Sequence, residues 1–370
     1  MSDTSRIAVL DAYDRPFELR SFPVPEPEPG GATVRVAYGG ICGTDIHLQE
    51  GRLPIPCPVG FGHEGVGRLD RAGDGVTSDA LGRSLSPGDM VLWASNIPCG
   101  RCRYCVLHGE RTLCVDRRVY GINQSTADWP HLSGSWSDRM VLRPGSTIIR
   151  LPDGVQALDA ISLGCAGPTA VHGFERLPAP GELGTVVVQG AGPVGLASAM
   201  LARLHGAERV VLVGGPTDRV TLARRLGIGD EHVDLTEIPD ADDREEHVRS
   251  LVGGDGADTV IECAGVPAAV AETFALARPN GQCLVLGQYT DRGPTSLNPH
   301  LITKKQLRVA GSWAFAERHY VGYVRALTGL LESVPLRELV TVFALEDVND
   351  AAEAVRSGTV TKAALAPDGS

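Results

Sequence analysis

Two rhythms of apolar and polar positions divide this chain. In the first, apolar residues come in short runs broken by Gly and Pro, as at 32–37 (ATVRVA), 65–69, 89–93 and 137–141. Many short strands at this spacing predict an all-β, partly barrel-like domain. Residues 24–31 (VPEPEPGG) cannot hold a ladder and are read as a loop. The pattern changes near residue 166, and from 185 the repeating unit is apolar strand, glycine turn, helix. TVVVQ (185–189) leads into a helix over 193–204, and RVVLV (209–213) into one over 218–226. HVDL (232–235), ADTVIE (257–262) and QCLVLG (282–287) continue the strands. Alternating β and α elements predict a parallel, doubly wound sheet. The acidic run 240–246 is read as the solvated face of a helix, and after 311 the chain returns to helix and a last strand near 361–365.

At 370 residues the chain is too long for one ordinary core, which makes two domains the natural expectation. Its formal charge of −11 argues against nucleic acid or an anionic membrane as a nonspecific partner. The N-terminal residues show no signal-peptide pattern, and no apolar run is long enough to span a bilayer, so a cytoplasmic protein is expected. The nine cysteines are then more naturally metal-binding or catalytic than disulfide-bonded.

Gly190-Ala191-Gly192-Pro193-Val194-Gly195 follows an apolar strand and opens a helix, the context that makes a GxGxxG run a dinucleotide site. The helix N-terminus would carry the pyrophosphate. At the end of the next strand an acid would hold a ribose 2′-hydroxyl, but the chain reads Val213-Gly214-Gly215-Pro216-Thr217-Asp218-Arg219. Gly214 and Gly215 reject no phosphate, and Thr217 and Arg219 could meet one, so NADP is weakly favoured over NAD.

Four cysteines, Cys99, Cys102, Cys105 and Cys114, fall within sixteen residues. Alone they fit a redox dithiol, a disulfide knot or a metal site. Taken with GGICGTDIH (39–47), GFGHEGVG (60–67), LGCAGPTAVHG (163–173) and the glycine motif, the chain resembles the zinc-dependent medium-chain alcohol dehydrogenases over almost its whole length. The resemblance implies a GroES-like, mainly β catalytic domain (1–165 and 312–370) and a Rossmann coenzyme domain (166–311), with the active site in the cleft between them.

It also implies roles for particular residues. Cys42, His63 and Cys165 would hold a catalytic zinc with a position left open, Glu64 would stand beside the metal, and Asp45 would orient His63. Thr44 would hydrogen-bond the substrate oxygen and His47 would end a proton relay. The four clustered cysteines would fill the shell of a structural zinc; eight residues separate Cys105 from Cys114, one more than is usual in the family. Cys263-Ala264-Gly265 would lie at the nicotinamide ribose, Leu286-Gly287-Gln288 at the carboxamide and Lys362 at the pyrophosphate. Gly43 departs from members with a basic residue there. Trp93, Ser95, Asn96, Phe61 and the loop 121–138 are candidates for the substrate pocket or for packing. The implied activity is reversible hydride transfer between a primary or secondary alcohol and NAD(P), in a homodimer or homotetramer. The alternatives are a zinc-free quinone-reductase-like or non-catalytic relative and, more remotely, a zinc-ribbon binding protein.

Overall fold

The structure, a computed structural model, describes residues 3–367. The chain forms two compact units: Met1–Cys165 with Ala316–Thr328 and Leu336–Ser370, and Ala166–Phe315 with Gly329–Pro335.

The first unit is mainly β. Its main sheet runs Ile148–Arg150, Met90–Trp93, Glu64–Ala72, Ala32–Ile41, Lys362–Ala366, Val340–Ala344, with Arg139–Leu142 also paired to Ala32–Ile41. The strands expected at 32–37, 65–69, 89–93, 137–141 and 361–365 all lie on this sheet, and the expected loop 24–31 is loop. Its register sets up the chemistry. Gly40 stands opposite Glu64 on one side and Ala364 on the other, while Ala363 pairs with Ile41. The C-terminal strand therefore runs beside the residue that precedes Cys42. Ile41, Phe61, Trp136 and Leu365 are fully or almost fully buried in one cluster below this junction. Each such side chain contributes roughly 1.5–3 kcal/mol of burial.

The second unit is a Rossmann fold. Its sheet has the order Glu231–Asp234, Arg209–Gly214, Thr185–Gln189, Ala257–Glu262, Ala277–Val285, Arg308–Gly311, with every pair parallel. The central strands carry apolar runs because both faces are covered: Val187, Val211 and Val260 have no exposed surface. The helix expected at 193–204 is Pro193–Leu204, and the one expected at 218–226 is Thr217–Arg225, starting and ending one residue early. The acidic run sits on helix Ala241–Val252, capped by the Asp240 carboxylate on two backbone N–H groups. No helix among the described residues is long and apolar enough to cross a membrane.

Candidate active site

Cys42 caps the short helix Gly43–Gln49. Its Sγ accepts from the Thr44 backbone N–H at 3.3 Å, and Asp45 Oδ2 accepts from the Cys42 N–H at 2.9 Å. This reciprocal cap fixes both side chains from a local sequence signal. The other Asp45 oxygen lies 2.9 Å from His63 Nδ1, in a pair with almost no solvent exposure. That contact turns His63 Nε2 towards Cys42 Sγ, 3.4 Å away. Ligand atoms of Cys42, His63, Glu64 and Cys165 all lie within 4.8 Å of one another.

The electrostatics of this cluster favour a cation. The Cys42 thiol is held well below its usual range by a hydrogen bond from Cys165 and by the charges of His63 and Lys362. Burial opposes a charge on His63, yet Asp45 and Cys42 override it and keep its pKa well above normal. Glu64 is pushed up to about 7 by burial, against the opposing pull of Lys362. Its Oε2 accepts from Lys362 Nζ at 2.5 Å, while its Oε1 is buried with no partner and 3.9 Å from His63 Nε2. Gly40 and Gly164 make the room: a Cβ at either would come within 3 Å of Oε2, at 2.8 and 2.9 Å. Two sulfurs, one imidazole nitrogen and an orphaned carboxylate oxygen are a donor set that suits zinc.

Lys362 stands beside the metal cluster. Its side chain is 2% exposed and its ammonium pairs with Glu64. Thr44 and His47, three residues apart, share one face of the capped helix and are both half-buried. At Gly43 an added Cβ would meet nothing. Phe61 and Trp93 are core: Phe61 packs edge-on against Phe17 at 4.8 Å, and Trp93 lies where a Cβ on Gly65 would be. Ser95 and Asn96 are buried, Ser95 in a hydrogen bond to buried Tyr320. The loop 121–138 braces the histidine strand, with Trp136 Nε1 donating to Gly40 O at 2.9 Å and Ser135 to Glu64 O.

The four clustered sulfurs also converge within 4.8 Å. Cys99 N–H points at Cys114 Sγ (3.2 Å) and Cys102 N–H at Cys99 Sγ (3.4 Å). Backbone donors from Val115 and Cys105 pull the Cys102 thiol down to about 6. Cys102 and Cys105 sulfurs are 3.6 Å apart, far beyond a disulfide bond, and all nine cysteines are free. The 3₁₀ turn Arg111–Leu113 lies within the longer final spacer.

In the second unit, Gly190 takes φ +116° and donates to Val213 O at 2.7 Å, and a Cβ on Gly195 would strike Gly190 O at 1.7 Å. Pro193 opens the helix behind Gly192, with Val194 in its first turn. Over Gly192 only the Arg219 guanidinium approaches, 4.0 Å from the position of an added Cβ. Gly214 is forced by contact, since a Cβ there would lie 2.5 Å from Ala191 N; Gly215 has only Leu235 near it. Thr217 is already engaged, donating to Asp234. Cys263 is half-buried against Ser198 (3.5 Å) and its thiol is pushed up by desolvation, the behaviour of an apolar filler. The loops holding Cys263, Ala264, Gly265 and Leu286, Gly287, Gln288 lie side by side, clasped by Glu262. Sequence reasoning missed Glu262, Tyr320 and the Glu64–Lys362 pair. The only signal for the first was an acid ending an otherwise apolar strand.

Residues 28–153 match the alcohol dehydrogenase GroES-like domain family, and residues 193–329 match the zinc-binding dehydrogenase family. The chain is 34% identical to a 5-exo-hydroxycamphor dehydrogenase of Pseudomonas putida over 97% of both chains. It is 33% identical to a sorbitol dehydrogenase of Halalkalibacterium halodurans, covering 93% of this chain and 94% of the relative. Among solved structures, an alcohol dehydrogenase from Thermotoga maritima superposes with a TM-score of 0.92 at 30% identity, covering 98% of this chain and 99% of that one. A zinc-binding dehydrogenase from Sinorhizobium meliloti 1021 bound to NADP superposes at 0.83 with 25% identity, covering 99% of this chain and 100% of that one. The chain therefore belongs to the zinc-binding alcohol dehydrogenases of the medium-chain dehydrogenase/reductase superfamily.

Proposed function

We propose that this protein oxidises a secondary alcohol to a ketone, reversibly, with NADP taken in preference to NAD. The observation that carries the reading is the convergence of Cys42, His63, Glu64 and Cys165 within 4.8 Å. Cys42, His63 and Cys165 would hold a zinc ion, which would supply Lewis acidity to the alcohol or carbonyl oxygen. Asp45 keeps the proton on His63 Nδ1, leaving Nε2 as the ligand atom. Glu64, balanced by Lys362, holds negative charge beside the thiolates and offers Oε1 as a further donor. Thr44 Oγ1 hydrogen-bonds the alcohol oxygen, and the imidazole of His47 ends the relay that takes the proton to solvent. The four-cysteine lobe would hold a second zinc through four thiolates, leaving no position for substrate and no part in the chemistry.

The secondary-alcohol class rests on relatives whose names specify such groups, the 5-exo hydroxyl of hydroxycamphor and position 3 of threonine. The coenzyme preference rests on Gly214 in place of an acid and on Arg219 beside Gly192. Domain limits of 1–165 with 312–370 and of 166–311, a homodimer or homotetramer and a cytoplasmic location complete the reading. The test is a panel of cyclic, polyol and primary alcohols assayed with each coenzyme. Secondary alcohols should reduce NADP faster than NAD, and no alcohol-dependent reduction of either would overturn the proposal.

A further inference from the structure

The two loops assigned above to the nicotinamide end of the coenzyme meet on one buried carboxylate. Glu262 ends strand Ala257–Glu262 and has no exposed surface. Its Oε1 accepts from the Gly265 N–H at 2.7 Å, and its Oε2 accepts from the Gly287 N–H at 3.1 Å. Its own carbonyl accepts from the Leu286 and Gly287 N–H groups at 2.8 and 3.0 Å. One residue thus ties the loop after its own strand to the loop after the neighbouring strand, through both ends of its side chain and its backbone.

The gap it holds is tight. A Cβ on Gly287 would stand 2.3 Å from Gly265 N and 2.6 Å from Glu262 Oε1, and a Cβ on Gly265 would stand 2.7 Å from Gly287 O. No ammonium or guanidinium pairs with Glu262 in the described structure; burial raises its pKa, and backbone N–H groups of Gly265, Gly287 and Ala264 oppose that rise. A buried acid held by backbone donors and the Gln288 side chain, with no cation beside it, is costly to keep and is replaceable by an apolar residue if packing is its sole duty. Its geometry instead fixes the separation of two glycine-containing loops at the C-terminal ends of adjacent parallel strands, the side of such a sheet on which ligands bind.

We infer that Glu262 is a positioning residue for the nicotinamide half of the coenzyme, setting the distance between Gly265 and Gly287 into which that half must fit. It touches no reacting atom and acts through the two loops. The adenosine half is assigned to Gly190–Gly195 and Arg219, none of which bonds the Glu262 carboxylate, so loss of the clasp should act chiefly on the nicotinamide half. The inference rests on the coenzyme reading above, and its test separates the two.

The experiment is fluorescence or calorimetric titration of the full-length, zinc-loaded protein with NADPH, NADH and the adenosine fragments 2′,5′-ADP and ADP. In E262Q one oxygen acceptor becomes an NH2 that faces a backbone donor, so the clasp opens. Dinucleotide affinity should fall at least about tenfold, as loss of a charged hydrogen bond implies, while fragment affinity stays within about twofold. G287A, which pries the same loops apart sterically, should give the same selective loss and serves if E262Q fails to fold. Equal dinucleotide affinity in wild type and both variants would overturn the inference, as would equal losses of dinucleotide and fragment. A wild type that binds no dinucleotide would instead overturn the coenzyme reading on which it rests.

Discussion

Lys362 and Glu64 lie 298 positions apart in sequence, yet form a 2.5 Å ion pair with side-chain exposures of only 2% and 0%. Neither charge has water to fall back on, so removing one leaves the other buried and uncompensated. K362M should lower unfolding stability at neutral pH by about 3–5 kcal/mol, the usual cost of breaking a buried pair from one side. E64Q in the same chain should restore part of that loss. Chemical denaturation of the metal-free proteins measures both.

Asp45 fixes His63 through a single 2.9 Å contact at Nδ1. D45N keeps the size but lets either ring nitrogen face the sulfurs. Zinc affinity at the Cys42 site should drop by about 10- to 100-fold, measured by competition with a chelator. Unchanged retention would mean that the ring is held by packing alone.

Asp79 illustrates the pH dependence. Burial raises its pKa, but the Arg83 guanidinium and the N–H groups of Arg83, Arg150 and Leu81 win and hold it below the usual carboxylate value of 3.8. A depressed acid adds stability above its unfolded pKa and loses it as pH falls through the lower folded value. D79N should therefore be less stable than wild type at pH 7, by about 1.5–3 kcal/mol. The difference should shrink below about pH 4, where the unfolded chain takes up its proton first. Thermal melts from pH 2.5 to 7 test the sign.

At the coenzyme, R219Q should raise the KM for NADP by about tenfold or more and leave that for NAD within about twofold, because only NADP carries the 2′-phosphate. G214D should fail to create an NAD enzyme. Its Cβ would lie 2.5 Å from Ala191 N, so the glycine loop must shift and both coenzymes should bind more weakly.

How much of this could be read in advance follows the range of the interactions. Five of the six parallel strands, the glycine turn and the cysteine lobe are written in local patterns: apolar runs, a GxGxxG at a strand end, four cysteines in one loop. The metal cluster at Cys42 was reachable only through family resemblance, because strand pairing, not spacing, brings Cys42 to His63, and Cys165 joins them from the turn between helices Ala157–Ser162 and Ala166–Arg176. The Glu64–Lys362 pair was missed for the same reason. Nothing around Lys362 discloses that Ala363 will pair with Ile41, which sets the lysine beside Cys42 and Glu64. Phe61 and Trp93 looked like pocket candidates because an aromatic near a ligand motif is ambiguous until its packing partners are known. Glu262 ends an apolar strand as a surface acid would, and only the fold buries it.

The lobe and the Cys42 cluster also differ in what their loss should do. C114S removes one of four converging thiolates and should lower the melting temperature by several degrees while the remaining folded protein keeps its turnover per active site.

The most direct test of the central claim is metal analysis combined with steady-state turnover of a secondary alcohol in wild type and C42S. Wild type should carry about two zinc ions per chain, by the arithmetic of one three-ligand and one four-thiolate site. C42S should carry about one, with turnover reduced by about a thousandfold or more. Two zinc ions retained in C42S, or alcohol-dependent coenzyme reduction at the wild-type rate, would contradict the assignment of the chemistry to Cys42, His63 and Cys165.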